Sequence, residues 1–119
     1  MSNQVVFENG RYNGRTLKDW LPQIRDRIVT SFSPEQIVLF GSLAEGKPNA
    51  DSDVDLLVVL DTVDEPHRWM RELRTLLADI PVPIDVVPIS AEDYGLDADI
   101  PGTLPREAES SGVTLYDRR

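Results

Sequence analysis

The run Leu56-Leu57-Val58-Val59-Leu60 is the longest apolar stretch in the chain, and two aspartates, Asp53 and Asp55, lead into it. Five residues fall far short of the ~20 that span a bilayer, so the run reads as a strand buried in a folded domain, beginning at Asp53. The flanking sequence supplies the elements that can cover such a strand. Leu17, Trp20, Leu21, Ile24, Ile28 and Val29 recur at helical spacing while Lys18, Asp19, Arg25, Asp26 and Arg27 face away, which predicts an amphipathic helix from Leu17 to about Phe32. Pro22 falls near its start, where a missing N–H costs least, and Ser33-Pro34 closes it.

Gln36 to Phe40 (QIVLF) is another short apolar run, a buried strand stopped by a tight turn at Gly41. Gly46, Lys47, Pro48, Asn49, Ala50, Asp51 and Ser52 are turn chemistry leading to the Asp53–Leu60 strand. A second helix runs from Glu65 to Ile80, with Trp69, Leu73, Leu76, Leu77 and Ile80 on one stripe; Pro81 and Pro83 end it, and Ile84 to Val87 forms a third strand. Beyond Pro88 the signals weaken to helical pieces at Ser90–Tyr94 and Leu104–Ser110 and an extended piece at Val113–Tyr116. This order predicts an α/β domain of the α+β type, with a small mixed sheet and flanking helices in two or three layers.

A chain of 119 residues, 40% hydrophobic and 28% charged, has room for one such domain over 1–119, its core in about 17–88 and its small elements in 89–119. The lack of cysteine excludes disulfides and thiolate metal sites. The net charge is −9, concentrated in residues 61–119. Such a field repels phosphate backbones and so argues against direct nucleic-acid binding, while a basic protein partner or metal ions meet no penalty. MSNQVVFENG has no basic segment followed by an apolar one, so the expectation is a cytoplasmic protein with no membrane attachment.

Strand periodicity puts the Asp53 and Asp55 carboxylates on one face, ~7 Å apart along the chain. Strand interiors avoid aspartate, and two like charges entering a buried run call for a cation. Mg²⁺ suits them, since two carboxylates, substrate phosphate oxygens and water complete its octahedron. Asp85 repeats the anomaly inside Ile84–Val87. If its strand lies beside the Asp53–Leu60 strand, the three carboxylates share a face, as a two-metal phosphoryl or nucleotidyl transfer site requires, with Asp55 as the bridging ligand. The Gly41-Ser42 turn offers the other half, a small residue that lets backbone N–H groups approach a phosphate and a hydroxyl beside it.

Gly41-Ser42-Leu43-Ala44-Glu45-Gly46, followed by Ser52-Asp53-Val54-Asp55-Leu56, resembles the signature of the minimal nucleotidyltransferases of the DNA polymerase beta superfamily. The resemblance covers roughly Leu17 to Val87, and Gly112-Val113-Thr114-Leu115-Tyr116 is similar to the closing segment of stand-alone members. It implies a helix-strand-helix-strand-helix-strand core with a mixed sheet. It also implies that Gly41 and Ser42 hold the triphosphate, that Asp53 and Asp55 are metal ligands, and that Asp85 is a third carboxylate helping to deprotonate the attacking hydroxyl. Two Mg²⁺ ions and ATP as donor are the expected cofactors. Stand-alone relatives are often antitoxins paired with a HEPN ribonuclease toxin, which some silence by attaching AMP to a tyrosine. Many members carry arginine where Leu43 and Glu45 stand, and Lys47 is the nearby cation that can substitute. The alternative is a catalytically decayed module that neutralises or scaffolds a partner by contact alone. His67 reads as an exposed helix residue, Trp20 and Trp69 as core, and Tyr94 and Tyr116 as packing residues rather than acceptors.

Overall fold

A four-stranded mixed sheet, order β5-β4-β3-β6, organises the chain. The computed structural model describes residues 7–8, 10–47 and 52–118. A two-stranded hairpin, β1 (Phe7–Glu8) and β2 (Arg11–Tyr12), comes first, which periodicity did not anticipate because its strands are two residues long. Then follow α1 (Leu17–Phe32), β3 (Gln36–Phe40), the one-turn α2 (Gly41–Ala44), β4 (Val54–Leu60), α3 (Pro66–Leu77), β5 (Ile84–Ser90), α4 (Ala91–Asp97), α5 (Leu104–Ser111) and β6 (Val113–Asp117). From α1 to β5 this is the expected alternation of helix and strand.

Helix α1 begins in a capping box. The Thr16 hydroxyl accepts from Asp19 N at 3.2 Å and the Asp19 carboxylate accepts from Thr16 N at 3.0 Å, so two otherwise unpaired donors are satisfied. Those bonds also hold the Asp19 carboxyl below its ordinary value, the backbone bond from Thr16 most of all. Pro22 is the sixth residue of α1 and not in its first turn, so the helix forgoes one interior hydrogen bond there. Ser33 ends it in the left-handed conformation, φ 46°, with its N–H on Val29 O.

β3 pairs antiparallel with β4 and with β6, and β4 pairs parallel with β5, the crossover being made by α3. β5 runs on to Ser90, three residues beyond the expected Val87, straight through Pro88. A proline is tolerated there because β5 is an edge strand with one unpaired side. Residues of alternate parity feed two cores. Ile37, Leu39, Leu56, Val58, Leu60 and Val86 pack under α1 and α3 with Ile24, Ile28 and Leu73. Val38, Phe40, Leu57 and Val59 pack on the opposite face with Tyr94 of α4 and Ala108 of α5. Helices therefore cover both faces, which is why the run from Leu56 to Leu60 contains no polar residue.

Candidate functional site

The odd-numbered residues of β4 face α4 and α5, and Asp55 is the first of them and only partly buried. Asp85 is its direct neighbour across the parallel pair, and Phe40 is its partner on β3. Neighbouring positions in register share a face, so Asp55 and Asp85 project to the same side. Asp53 lies just before β4 rather than within it as the periodicity predicts, with its carboxylate near that of Asp55. Burial raises the Asp55 carboxyl to about 6, and the charges of Asp53 and Asp85 push it the same way, followed by the nearness of the Asp53 carboxyl and the charge of Glu107. Burial and all the neighbouring acids named here disfavour the charge of Asp55.

Register sets Asp55 beside Asp85, and Asp53 bears on Asp55, but the structure does not draw the three carboxylates into the converging metal-holding set that the strand periodicity predicts. Asp85 is exposed on an edge strand, so its charge is solvated and needs no buried partner. Among the described residues no group of three or more His, Cys, Asp or Glu side chains is placed to hold a metal ion. Mg²⁺ is commonly held by one or two carboxylates together with substrate phosphates and water rather than by an all-protein cage, and a pair such as Asp53 and Asp55 can supply that number. The oxygen-only donor set fits the ion.

Gly41 follows β3 with φ +79°, and a Cβ at that position would collide with Asp55 Oδ2. Its glycine is therefore required twice, by the backbone and by the carboxylate beside it. Ser42 Oγ lies 2.9 Å from Ser52 Oγ, a hydroxyl pair joining α2 to the residue before Asp53, and Ser52 is only 5% exposed. Leu43 points into the α1–α3 core, at 7% exposure, whereas Glu45 and Lys47 are exposed. Pro48, Asn49, Ala50 and Asp51 of the expected turn lie outside the described residues.

Glu107 has no signal in the sequence, where it is one acid among several on an amphipathic helix. Only the packing of α5 on β3 and β4 brings it toward Asp55. Tyr94 is buried and donates its hydroxyl to Glu109, so it ties α4 to α5; burial, then that bond, raises its pKa. Trp20 is buried, donating Nε1–H to Tyr12 O at 3.2 Å, and Trp69 is half-buried, donating to Asp64 Oδ1 at 2.9 Å. His67 is exposed on α3, and Tyr116 packs partly buried against the first core.

Residues 23–119 match the sequence pattern of the polymerase beta nucleotidyltransferase family. The chain belongs to that family. No curated protein matches it in sequence. Solved structures share the nucleotidyltransferase fold. A mutant of the toxin–antitoxin MntA-HpeT with two Asp-to-Glu changes two positions apart is 22% identical, covers 83% of this chain and 74% of its own, and superposes with TM-score 0.58. A nucleotidyltransferase-like protein of Sulfolobus solfataricus is 22% identical over 86% of this chain and 80% of its own, TM-score 0.56. A toxin–antitoxin solved with AMP-PNP is 24% identical over 82% and 73%, TM-score 0.55. In this nucleotidyltransferase no helix among the described residues is long and apolar enough to cross a membrane.

Proposed function

We propose that residues 1–119 are one magnesium-dependent nucleotidyltransferase domain that moves AMP from ATP to a hydroxyl. The acceptor is a tyrosine of a partner toxin of the HEPN ribonuclease type, silenced in the cytoplasm by this antitoxin. The observation that carries the reading is Asp55, in register with Asp85 on the neighbouring strand and with its carboxylate against the Gly41-Ser42 turn. The toxin–antitoxin neighbours support a toxin partner, and AMP-PNP in one of them supports an adenine nucleotide as donor. The aspartate pair altered in the MntA-HpeT mutant has the spacing of Asp53 and Asp55. The HEPN type and the tyrosine rest on the family resemblance, and the acidic charge of residues 61–119 suits a basic partner.

Asp53 and Asp55 would hold the Mg²⁺ ions, with Asp85 as a third carboxylate; the ions supply neutralisation of the phosphate charge. Gly41 and the Ser42 hydroxyl receive the phosphates. Asp85, exposed on its edge strand, accepts the proton of the attacking hydroxyl. The acceptor oxygen bonds to the α-phosphorus as the bond to the β-phosphate oxygen breaks, and pyrophosphate leaves with that electron pair. Mass spectrometry of the toxin co-expressed with this chain tests the proposal. AMP-sized increments on a tyrosine are expected, lost with Asp55→Asn. An unmodified toxin together with no heat of Mg²⁺–ATP binding in titration calorimetry would instead support neutralisation by contact alone.

A further inference from the structure

The nucleotide side of the site pairs two serine hydroxyls with a cluster of acids, and helix α2 contributes no basic side chain to it. Glu45, which caps that helix, adds negative charge. With the metal ions of the proposed reaction neutralising part of a triphosphate's charge, a basic side chain beside this turn would offset more of it. The chain just beyond α2 brings one back. Gly46 takes φ +73°, its N–H meets Leu43 O at 3.3 Å, and the N–H of Lys47 meets Ser42 O at 2.9 Å. These are the two bonds of a Schellman closure, which reverses the chain at a left-handed glycine. Its effect is to bring the backbone of Lys47 back against that of Ser42, the residue whose hydroxyl is paired to Ser52 next to Asp53. The Lys47 side chain is exposed, and among the described residues it makes no ion pair or hydrogen bond. Its flexible four-carbon stem can turn the ammonium toward a ligand over Ser42.

We infer that Lys47 is the phosphate-binding cation of this nucleotidyltransferase, contacting the non-transferred phosphates of the donor from the Schellman turn and offsetting the charge of Glu45. Gly46 is a positioning residue for it. The inference rests on the nucleotidyl-transfer reading and adds a residue that reading does not use.

Titration calorimetry with Mg²⁺ and AMP-PNP tests it without an acceptor. Lys47→Gln should weaken binding about tenfold, as expected for loss of a charge-assisted hydrogen bond. Lys47→Arg should stay within about threefold of the natural chain, because it keeps the charge. Lys18→Gln, an exposed lysine on α1, should bind as the natural chain does and excludes a general effect of net charge. Thermal melts of each variant verify that the exposed substitutions leave the fold intact. Equal affinity of Lys47→Gln and the natural chain, or equal weakening by Gln and Arg, overturns the inference while nucleotide transfer stands. A natural chain that binds no AMP-PNP overturns the nucleotide reading itself, and the role of Lys47 with it.

Discussion

Gly41 is the position where backbone and chemistry constrain each other most closely. Its positive φ strains any side chain, and a Cβ there would force the Asp55 carboxylate to move. Gly41→Ala should lower stability by about 1–3 kcal/mol and, by displacing Asp55, reduce nucleotide transfer more than tenfold. A melt and an activity assay on the same variant check both, and an unchanged protein would contradict the crowding. Asp55 itself gives a pH dependence with a definite sign. With its folded pKa at about 6 against 3.8, the folded chain keeps a proton there that the unfolded chain has lost. Below pH ~4 the group is neutral in both states and carries no penalty; as pH rises through ~4 to 6, stability is lost. In chelator the loss is on the order of 1 kcal/mol once solvent screening is allowed for. Urea unfolding at pH 4.5 and 7 should show it as a difference between the natural chain and Asp55→Asn, whose own profile lacks that component.

Helix α1 carries both a gain and a cost in its first two turns. Thr16→Ala removes one half of the capping box and should cost about 1 kcal/mol. Pro22→Ala should do the reverse, because position 22 is exposed and an alanine there restores an interior helix bond. The expected gain is about 1–2 kcal/mol, the helix preference being partly offset by the freer unfolded chain. Denaturant midpoints measure both, and a Pro22→Ala variant less stable than the natural chain would mean that the proline serves packing. The amphipathic stripes made α1 and α3 readable from sequence, since apolar residues recurring every 3.6 positions line up on a helix and scatter over both faces of a strand. The same rule placed α1 at Leu17–Phe32 and β3 at Gln36–Phe40. It missed the β1–β2 hairpin, too short for any period to show, and it stopped β5 at a proline that an edge strand tolerates.

The sheet separates structure from chemistry by its two faces. The face under α1 and α3 is core along its length, while the opposite face is core under α4 and α5 and acidic at Asp55 and Asp85. Charge there is tolerated because water reaches it, and a bound cation should relieve the repulsion that remains. Mg²⁺ with AMP-PNP should therefore raise the melting temperature of the natural chain, since a ligand that binds only the folded state stabilises it. Replacing Asp53, Asp55 and Asp85 together by Asn should abolish that increment and leave the metal-free protein at least as stable as before. A ligand-induced rise that survives in the triple variant would place the metal and nucleotide elsewhere.

The helices, the buried strands and the suspicion attached to Asp53, Asp55 and Asp85 were legible in the amino-acid order alone, because polar residues in apolar runs and regular apolar spacing are local properties of the chain. Which residues meet was settled only by packing. The parallel pairing of β4 with β5 sets Asp55 opposite Asp85, α5 brings Glu107 toward them across some fifty residues of chain, and the hydroxyl of Ser52 finds Ser42. Packing also put Leu43 in the core and left Asp85 in solvent. Period and composition say which face of an element is apolar; which element that face meets, and how much water remains beside it, depend on contacts between segments far apart in the chain.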